Sequence, residues 1–239
     1  MDALWLQIVQ WLHTVGLHVD ADAARTVAEG AAKATAQLDM PSLLALAAAL
    51  GWASGFRLYA VVFLVGMMGV AGWIALPPGL AVLQSPVVLI ASGCMLLVEF
   101  FADKVPWLDS AWDAGHAFIR VPAGAVLAAG VFGADNATMA VVAGLLGGSL
   151  SATALATKMT TRAAANTSPE PFSNWGLSFF EDGLVVAVVW LATQHPVAFG
   201  IALVTMLIVS ALLLAVLFKF LRAVLRRIAS FVSGSAKVA

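Results

Sequence analysis

Three ionisable side chains lie deep inside apolar runs of this sequence. Arg57 lies about 22 Å along the first run by helical rise, and Glu181 and Asp182 lie about 11–13 Å from the start of the fifth. Unpaired near the middle of a bilayer, these charges together cost on the order of 8–10 kcal/mol. We therefore expect them to pair, to bind protons or to face water. Intramembrane ionisable groups of this kind typically line the pathway of an ion or a polar solute.

The segment around Arg57 and the end of the second apolar run add candidates to this pathway. Glu99 and Asp103 bring acidic groups to the end of the second run, and Tyr59 closes a small-residue segment that begins at Gly51. Small residues let a neighbouring helix approach closely, or let a helix break and expose its backbone to a cavity. The predicted pathway residues of the apolar runs are Arg57, Tyr59, Glu99, Asp103, Glu181 and Asp182.

A proline-rich loop leads into the fifth run. Its two prolines exclude a regular helix from residues 168–174, and Ser173 or Asn174 is placed to cap the helix that follows. With Lys158 and Arg162 nearby, such a helix terminus favours an anion, so Ser168 and Asn174 join the pathway candidates. The alternative is a structural loop that carries cytoplasmic charges.

The polar stretch before the third run has the spacing of a metal site. If residues 106–116 are helical, Asp109, Asp113 and His116 lie on one face at i, i+4 and i+7, where they can present carboxylates and an imidazole to a divalent ion. The alternative, which we favour, is an amphipathic interfacial helix with two tryptophans at headgroup depth and the polar residues in water. No other feature identifies a cofactor, so the cofactor is unknown.

The composition shows which elements must position these groups. Of 239 residues, 62 % are hydrophobic and only 10 % are charged, which is too little polar surface for a water-soluble globule. A bilayer core of about 30 Å needs about 20 residues per helical crossing. We predict an all-α polytopic membrane protein with about six transmembrane helices, some of them broken or re-entrant. The runs are roughly 42–75, 86–103, 117–133, 138–158, 174–193 and 197–219.

The runs divide the chain into three parts. We expect an amphipathic or soluble helical leader over 1–40, a transmembrane domain over 41–228 and a flexible tail over 229–239. The third run is short and contains Pro122, so a kinked or re-entrant element is an alternative there. Each half of the transmembrane domain has a small-residue crossing, a Ser-Pro pair and then an aromatic-acidic cluster. Two inverted three-helix repeats would have this pattern.

Basic residues predict the orientation, because cytoplasmic loops collect Lys and Arg. The loops after the first, third and fifth runs contain neither, so we place both termini in the cytoplasm and expect the basic tail to meet anionic lipid headgroups. The net charge of −1 excludes the electrostatic footprint of a nucleic-acid binder. Association of copies into a homo-oligomer is left open. Eleven of the twelve basic residues fall on the predicted cytoplasmic side: Arg25, Lys33, Lys104, Arg120, Lys158, Arg162, Lys219, Arg222, Arg226, Arg227 and Lys237.

Three segments give the chain a family resemblance. Residues 53–59 (ASGFRLY), 98–110 (VEFFADKVPWLDS) and 166–175 (NTSPEPFSNW) carry it. From about 40 to 225 the chain resembles the bacterial membrane family called domain of unknown function 4126. The resemblance implies a multi-pass domain of the bacterial cytoplasmic membrane and assigns no activity.

Three functions fit these observations. A transporter or channel would pass an ion or small polar solute along the charged midplane residues. A structural or assembly protein would use the buried charges only to fix helix register. A metal-dependent enzyme acting on a lipid headgroup would use the acidic stretch before the third run. The sequence lacks a nucleophile elbow, a phosphate loop and a nucleotide fingerprint, so an enzyme ranks behind the other two.

Overall fold

The computed structural model describes residues 39–105, 107–134, 136–167 and 171–235. This part of the chain is helical and contains no strand, which confirms the predicted all-α class. The leader that was predicted over 1–40 falls almost entirely outside it. The elements are α1 (Met40–Val70), a short 3-10 helix (Pro78–Gln84), α2 (Pro86–Ala102), α3 (Leu108–Phe132), α4 (Ala137–Ala165), α5 (Pro171–Gln194) and α6 (Pro196–Ser235).

The helices are built to lie in a membrane. Within the described residues, five segments are long and apolar enough to span it: α1, α3, α4, nearly all of α5, and α6 as far as Ala223. The 3-10 helix and α2 pass the same test together and are bent by 67° at the break between them. The chain is therefore a multi-pass membrane protein, and its six apolar elements correspond to the six predicted runs.

Helix starts follow directly from the local sequence. Asp39, Ser85 and Asn136 each cap a helix by accepting a hydrogen bond of 3.1–3.3 Å from the backbone N–H three residues on. Pro41 and Pro86 lie in the first turns of α1 and α2, where their missing N–H leaves no hydrogen bond unmade.

Helix α1 breaks at Arg57, whose backbone angles of φ −145° and ψ 81° are not helical. Before the break, over residues 40–56, α1 runs parallel to α4 at very short range. A β-carbon at Gly51 would lie 2.5 Å from Gly147 Cα, and one at Gly55 would collide with the carbonyl of Ser151. The small residues therefore serve both expected purposes, close helix packing and a helix break.

After the break, over residues 58–70, α1 runs in the opposite direction. The break lies at Ser178 of α5, and further along α1 Leu64 lines one groove together with Val186 of α5, so this half is parallel to α5. Helices α4 and α5 run antiparallel, because Asn166 near the end of α4 contacts Asn174 near the start of α5. Both ends of α1 consequently lie on the same side of the bundle.

The loops thus sort into two faces. We call the neutral face the side that holds residues 71–77, 133–134, Asn136 and His195, none of which is Lys or Arg. The basic face holds residues 103–105 and 166–167 and, because α6 runs parallel to α4, the basic end of α6. Met40 lies at the neutral face and the end of α6 at the basic face. The position of Met1 relative to them lies outside the described residues.

One predicted boundary was wrong. The third run begins at Leu108 rather than 117 and continues through Pro122 to Phe132, so the preceding polar stretch is the first part of α3 rather than a separate interfacial helix. Helix α6 continues to Ser235, because no Gly or Pro interrupts the helix-forming residues between Gly200 and Gly234. The flexible tail over 229–239 stays a prediction.

Candidate functional site

Ten charged side chains from five helices and one loop form a network inside the basic half of the bundle. Six are carboxylates and four are cations. All are at most 3 % exposed except Asp182, whose side chain is 28 % exposed. We call this set the buried charge network: Glu99, Asp103, Asp109, Asp113, Glu181, Asp182, Arg57, Arg120, Lys158 and Arg162.

Asp103, the first residue after α2, is the centre of the network. Its Oδ2 atom lies 3.1 Å from Arg57 NH2, 3.1 Å from Lys158 Nζ and 3.6 Å from Arg162 NH2. Lys158 also donates a hydrogen bond of 3.2 Å to the carbonyl of Phe56, at the end of the first half of α1. A cation suits this place because carbonyl groups at a helix carboxyl end carry partial negative charge.

Arg162 of α4 links the end of α2 to α5 at the basic face. Its Nε and NH2 groups donate to the two carboxylate oxygens of Glu181 at 3.1 and 2.9 Å, a bidentate geometry. Its NH1 group donates to the carbonyl of Asp103 at 2.7 Å and to the carbonyl of Asn174 at 3.3 Å, and lies 3.7 Å from Asp109 Oδ2. One guanidinium therefore holds the residue that follows α2 together with α5.

Arg120 forms the other arm of the network. Its NH2 group pairs with Glu99 and its NH1 group lies 2.7 Å from Asp113 Oδ1. Asp113 also receives Lys158 Nζ at 3.0 Å, which links this arm to the centre. Ser151 of α4 donates a hydrogen bond of 3.0 Å to the Arg120 carbonyl and so connects α3 to α4.

Arg57 carries the network to its exposed edge. Its Nε atom lies 3.1 Å from Asp182 Oδ1, while NH2 donates to Ser178 Oγ at 2.8 Å and pairs with Asp103. Asp182 lines a groove of about 340 Å³ between α1, α2 and α5, whose other lining residues are apolar. The charged site is therefore open on one side, at an apolar groove.

Lys104 lies close to this opening. Its Nζ atom is 2.9 Å from the centroid of the Phe100 ring and 4.8 Å from that of Phe179. Burial lowers the pKa of the Lys104 amino group, and the nearby Asp182 carboxylate offsets this only in part. A second cavity, of about 320 Å³, reaches the network from the other side of α5, where Lys158 and Glu181 line it.

The network contains more acid than base. Six carboxylates face four cations, which leaves two negative charges if every group is ionised. Three carboxylate oxygens, Glu99 Oε2, Asp103 Oδ1 and Asp113 Oδ2, have neither a hydrogen-bond partner nor an ion-pair partner among the described residues. Because an uncompensated buried charge is costly, protons or cations must balance the excess.

Most of the predicted pathway residues are brought together. Arg57, Glu99, Asp103, Glu181 and Asp182 all belong to the network. Two further predicted residues, Tyr59 and Asn174, take no part in its ion pairs.

Tyr59 is half-buried and its ring packs edge-on against His116, with centroids 5.9 Å apart. Asn174 lies inside the first turns of α5 rather than at its cap, because the helix begins at Pro171, and it donates a hydrogen bond of 2.8 Å to Asn166. Ser168 lies outside the described residues.

The three candidate metal ligands point to different partners. Asp109 accepts a hydrogen bond of 2.9 Å from Asn166, and Asp113 pairs with cations of the network. His116 stacks on Trp112, with centroids 4.0 Å apart. Within the described residues, no group of three His, Cys, Asp or Glu side chains is arranged to hold a metal ion. The expected exposure of Asp109 and Asp113 to water was wrong, because both are fully buried against cations.

Sequence reasoning assigned Arg120, Lys158 and Arg162 to the cytoplasmic surface and missed their role in the network. All three are at most 1 % exposed. A signal was present on α4, where Gly147, Ser151, Ala154, Lys158 and Arg162 recur every three or four residues. Small residues at helical spacing mark the face of a helix that packs closely against a neighbour. Basic residues at the same spacing lie on that face and are therefore buried as well.

Comparison with known proteins identifies the family. The model of the family described as domain of unknown function (DUF4126) matches residues 44–218. No curated protein and no solved structure matches the chain.

Proposed function

Because the chain belongs to the DUF4126 family, whose description assigns no activity, we propose a function from the geometry: a transporter or channel that moves an ion or small polar solute. One observation carries the proposal. The first membrane helix breaks at Arg57 inside a buried network that has two more carboxylates than cations. We place the protein in the bacterial cytoplasmic membrane with its basic face toward the cytoplasm.

The broken helix supports a binding site because backbone that leaves the helix inside a membrane is tolerated where it is buried in protein or lines a cavity. Discontinuous helices commonly form the substrate and ion sites of secondary transporters. Here the carbonyl end of the first half of α1 already binds a cation, Lys158. The inverted repeat stays a prediction. Successive membrane helices alternate in direction in any multi-pass protein, so the opposite orientation of the two halves does not by itself indicate a repeat.

The charge balance supports an ion rather than a neutral solute. A proton or small cation that enters the network lowers its net negative charge, and one that leaves raises it again. Each change alters which cation each carboxylate pairs with, as at Asp103, which three cations share. A binding event can therefore be coupled to a rearrangement of α1, α4 and α5, which carry those cations and their partners.

Asp182 is the proposed point of exchange. It is the one member of the network with substantial exposure, it pairs with Arg57 at the helix break, and it borders the groove between α1, α2 and α5. Lys104, held between Phe100 and Phe179, is positioned to compete with Arg57 for the Asp182 carboxylate. Movement of either cation would open or close the path to the interior.

A structural role is the second candidate, and the burial of the network favours it. Nine of its ten members are at most 3 % exposed, as expected for charges that only fix the arrangement of helices. In that case the protein would carry no ion although the network is intact.

Flux measurements on variants of Asp182 separate the two candidates. Purified protein in liposomes that contain a pH-sensitive dye is given a pH gradient and a panel of monovalent and divalent cations. We expect wild-type flux above that of protein-free liposomes, a reduction of about tenfold or more in Asp182→Asn, and recovery in Asp182→Glu. Arg222→Gln, at an exposed position on α6, is the matched control and should leave flux unchanged.

Folded wild-type protein without flux of protons or any tested cation would contradict transport of these ions and favour the structural role. Equal flux in wild type and Asp182→Asn would remove Asp182 from the pathway.

A further inference from the structure

We propose that Glu99 binds a proton and is neutral in the resting network. The Glu99 side chain is fully buried, and one of its oxygens has no hydrogen-bond partner among the described residues. Its other oxygen pairs with Arg120, which is shared with Asp113. A buried carboxylate that shares its one guanidinium partner with another acid, and has an unpaired oxygen, is poorly stabilised as an anion. In the neutral carboxylic acid, the unpaired oxygen carries the proton.

The other carboxylates are better compensated. Asp103 has three cations within 3.6 Å, and Glu181 receives both arms of Arg162. Asp113 has Lys158 as well as Arg120. Asp109 accepts hydrogen bonds from Asn166 and from the backbone N–H of Ser110. Asp109 also lies 3.7 Å from Arg162 NH1. Glu99 is therefore the buried acid of the network with the fewest partners, because Arg120 is the one group that pairs with it among the described residues.

The charged and titratable groups around Glu99 come from four helices. They are Arg120 and Asp113 on α3, Lys158 on α4, Arg57 and Tyr59 on α1, and Asp103 at the end of α2 itself. Lys158 and Arg57 are already bound to Asp103, and they do not lie within ion-pair distance of Glu99. Arg120 is therefore its one direct cationic partner among the described residues.

One proton at this position completes the charge balance. The network has two excess negative charges, and Lys104 at the Asp182 opening offsets one of them. A proton on Glu99 offsets the other, so that the network with Lys104 is neutral. Glu99 is therefore a proton-binding site at the inner end of a chain of alternating charges that runs through Arg120, Asp113, Lys158, Asp103 and Arg57 to Asp182.

Isosteric amides test the proposal independently of transport, because unfolding temperature and infrared absorption are measured rather than flux. Glutamine has nearly the shape of a neutral glutamic acid, so Glu99→Gln should unfold at the wild-type temperature. Asp103→Asn is the matched control within the same network. It removes the negative charge that three cations share, so its unfolding temperature should be roughly 10 °C below that of the wild type. If Asp103→Asn does not fold at all, that is the stronger form of the same result.

The infrared spectrum gives a direct reading of the proton. At neutral pH the wild-type protein should show a carboxylic acid carbonyl band that shifts in heavy water and disappears in Glu99→Gln. A Glu99→Gln variant that is destabilised as much as Asp103→Asn, or that fails to fold, would overturn the proposal. The absence of this band from the wild-type minus variant difference spectrum would also overturn it. A wild-type protein that reaches its full unfolding temperature only with a particular metal cation present would do the same.

Discussion

Lys158 Nζ lies 3.1 Å from Asp103 Oδ2, although 55 residues separate the two in the chain. The pair joins α4 to the end of α2, and the same ammonium group lies 3.0 Å from Asp113 on α3. Three helices are thus held at the basic face by one lysine.

Removal of this ammonium should destabilise the fold strongly. Lys158→Met keeps the length of the side chain but leaves Asp103 and Asp113 without a shared cation, and we expect a loss of about 3–5 kcal/mol in the free energy of unfolding. Lys219→Met, at an exposed position on α6, should change little. Denaturant unfolding in detergent micelles measures both, and equal stabilities would contradict the central place of Lys158.

Arg57 should not be replaceable by lysine. Its guanidinium reaches Asp182 through Nε and both Asp103 and Ser178 through NH2, which one ammonium cannot reproduce. Arg57→Lys should therefore cost about 2–3 kcal/mol in the free energy of unfolding. Arg222→Lys, outside the network, is the control. Wild-type stability of Arg57→Lys would mean that the fork geometry at the helix break is unimportant.

Two glycines one turn apart on α4 should respond differently to alanine. A β-carbon at Gly147 would collide with Ala128 and lie 2.9 Å from the Gly124 carbonyl, whereas one at Gly144 would lie 3.5 Å from its neighbours. Gly147→Ala should lose about 1–3 kcal/mol, and Gly144→Ala should be neutral or slightly more stable. Thermal unfolding of the two variants in the same detergent decides whether α4 packs as closely as described.

The fold-back of α1 predicts a pattern of labelling across the membrane. In a Cys94→Ser background, single cysteines at Met40 and Trp73 should react with an impermeant maleimide from the same side. Cysteines at Val105 and Thr167 should react from the opposite side. Both Met40 and Trp73 are exposed and flank α1. Labelling of these two positions from opposite sides would show that α1 crosses the membrane as one helix.

Much of this architecture could be predicted from the sequence because membrane burial makes strong demands on residue type. The apolar runs located the helices, and the small residues near Arg57 predicted close packing or a helix break, both of which the structure contains. The high cost of isolated intramembrane charge predicted that Arg57, Glu181 and Asp182 come together, as they do.

The remainder depended on tertiary contacts that local patterns do not encode. Basic residues near helix ends look alike whether they face the cytoplasm or turn inward, so the burial of Lys158 and Arg162 was missed. The polar face of residues 108–116 has the pattern of a helix at the membrane–water interface and equally the pattern of a helix whose carboxylates pair with buried cations. The reversal of α1 requires the positions of α4 and α5, which a single helix does not specify.

The most direct test of the account is the electrical response of the wild-type protein in a supported membrane. Steps in pH and in cation concentration are applied, and the current per protein is compared with that of a protein-free membrane. We predict that a step in pH or in cation concentration drives a current through the wild-type protein. The Asp182→Asn variant should remain folded and give no such current. No current for any step, from protein that is folded and correctly inserted, would contradict the claim that the buried charge network carries an ion.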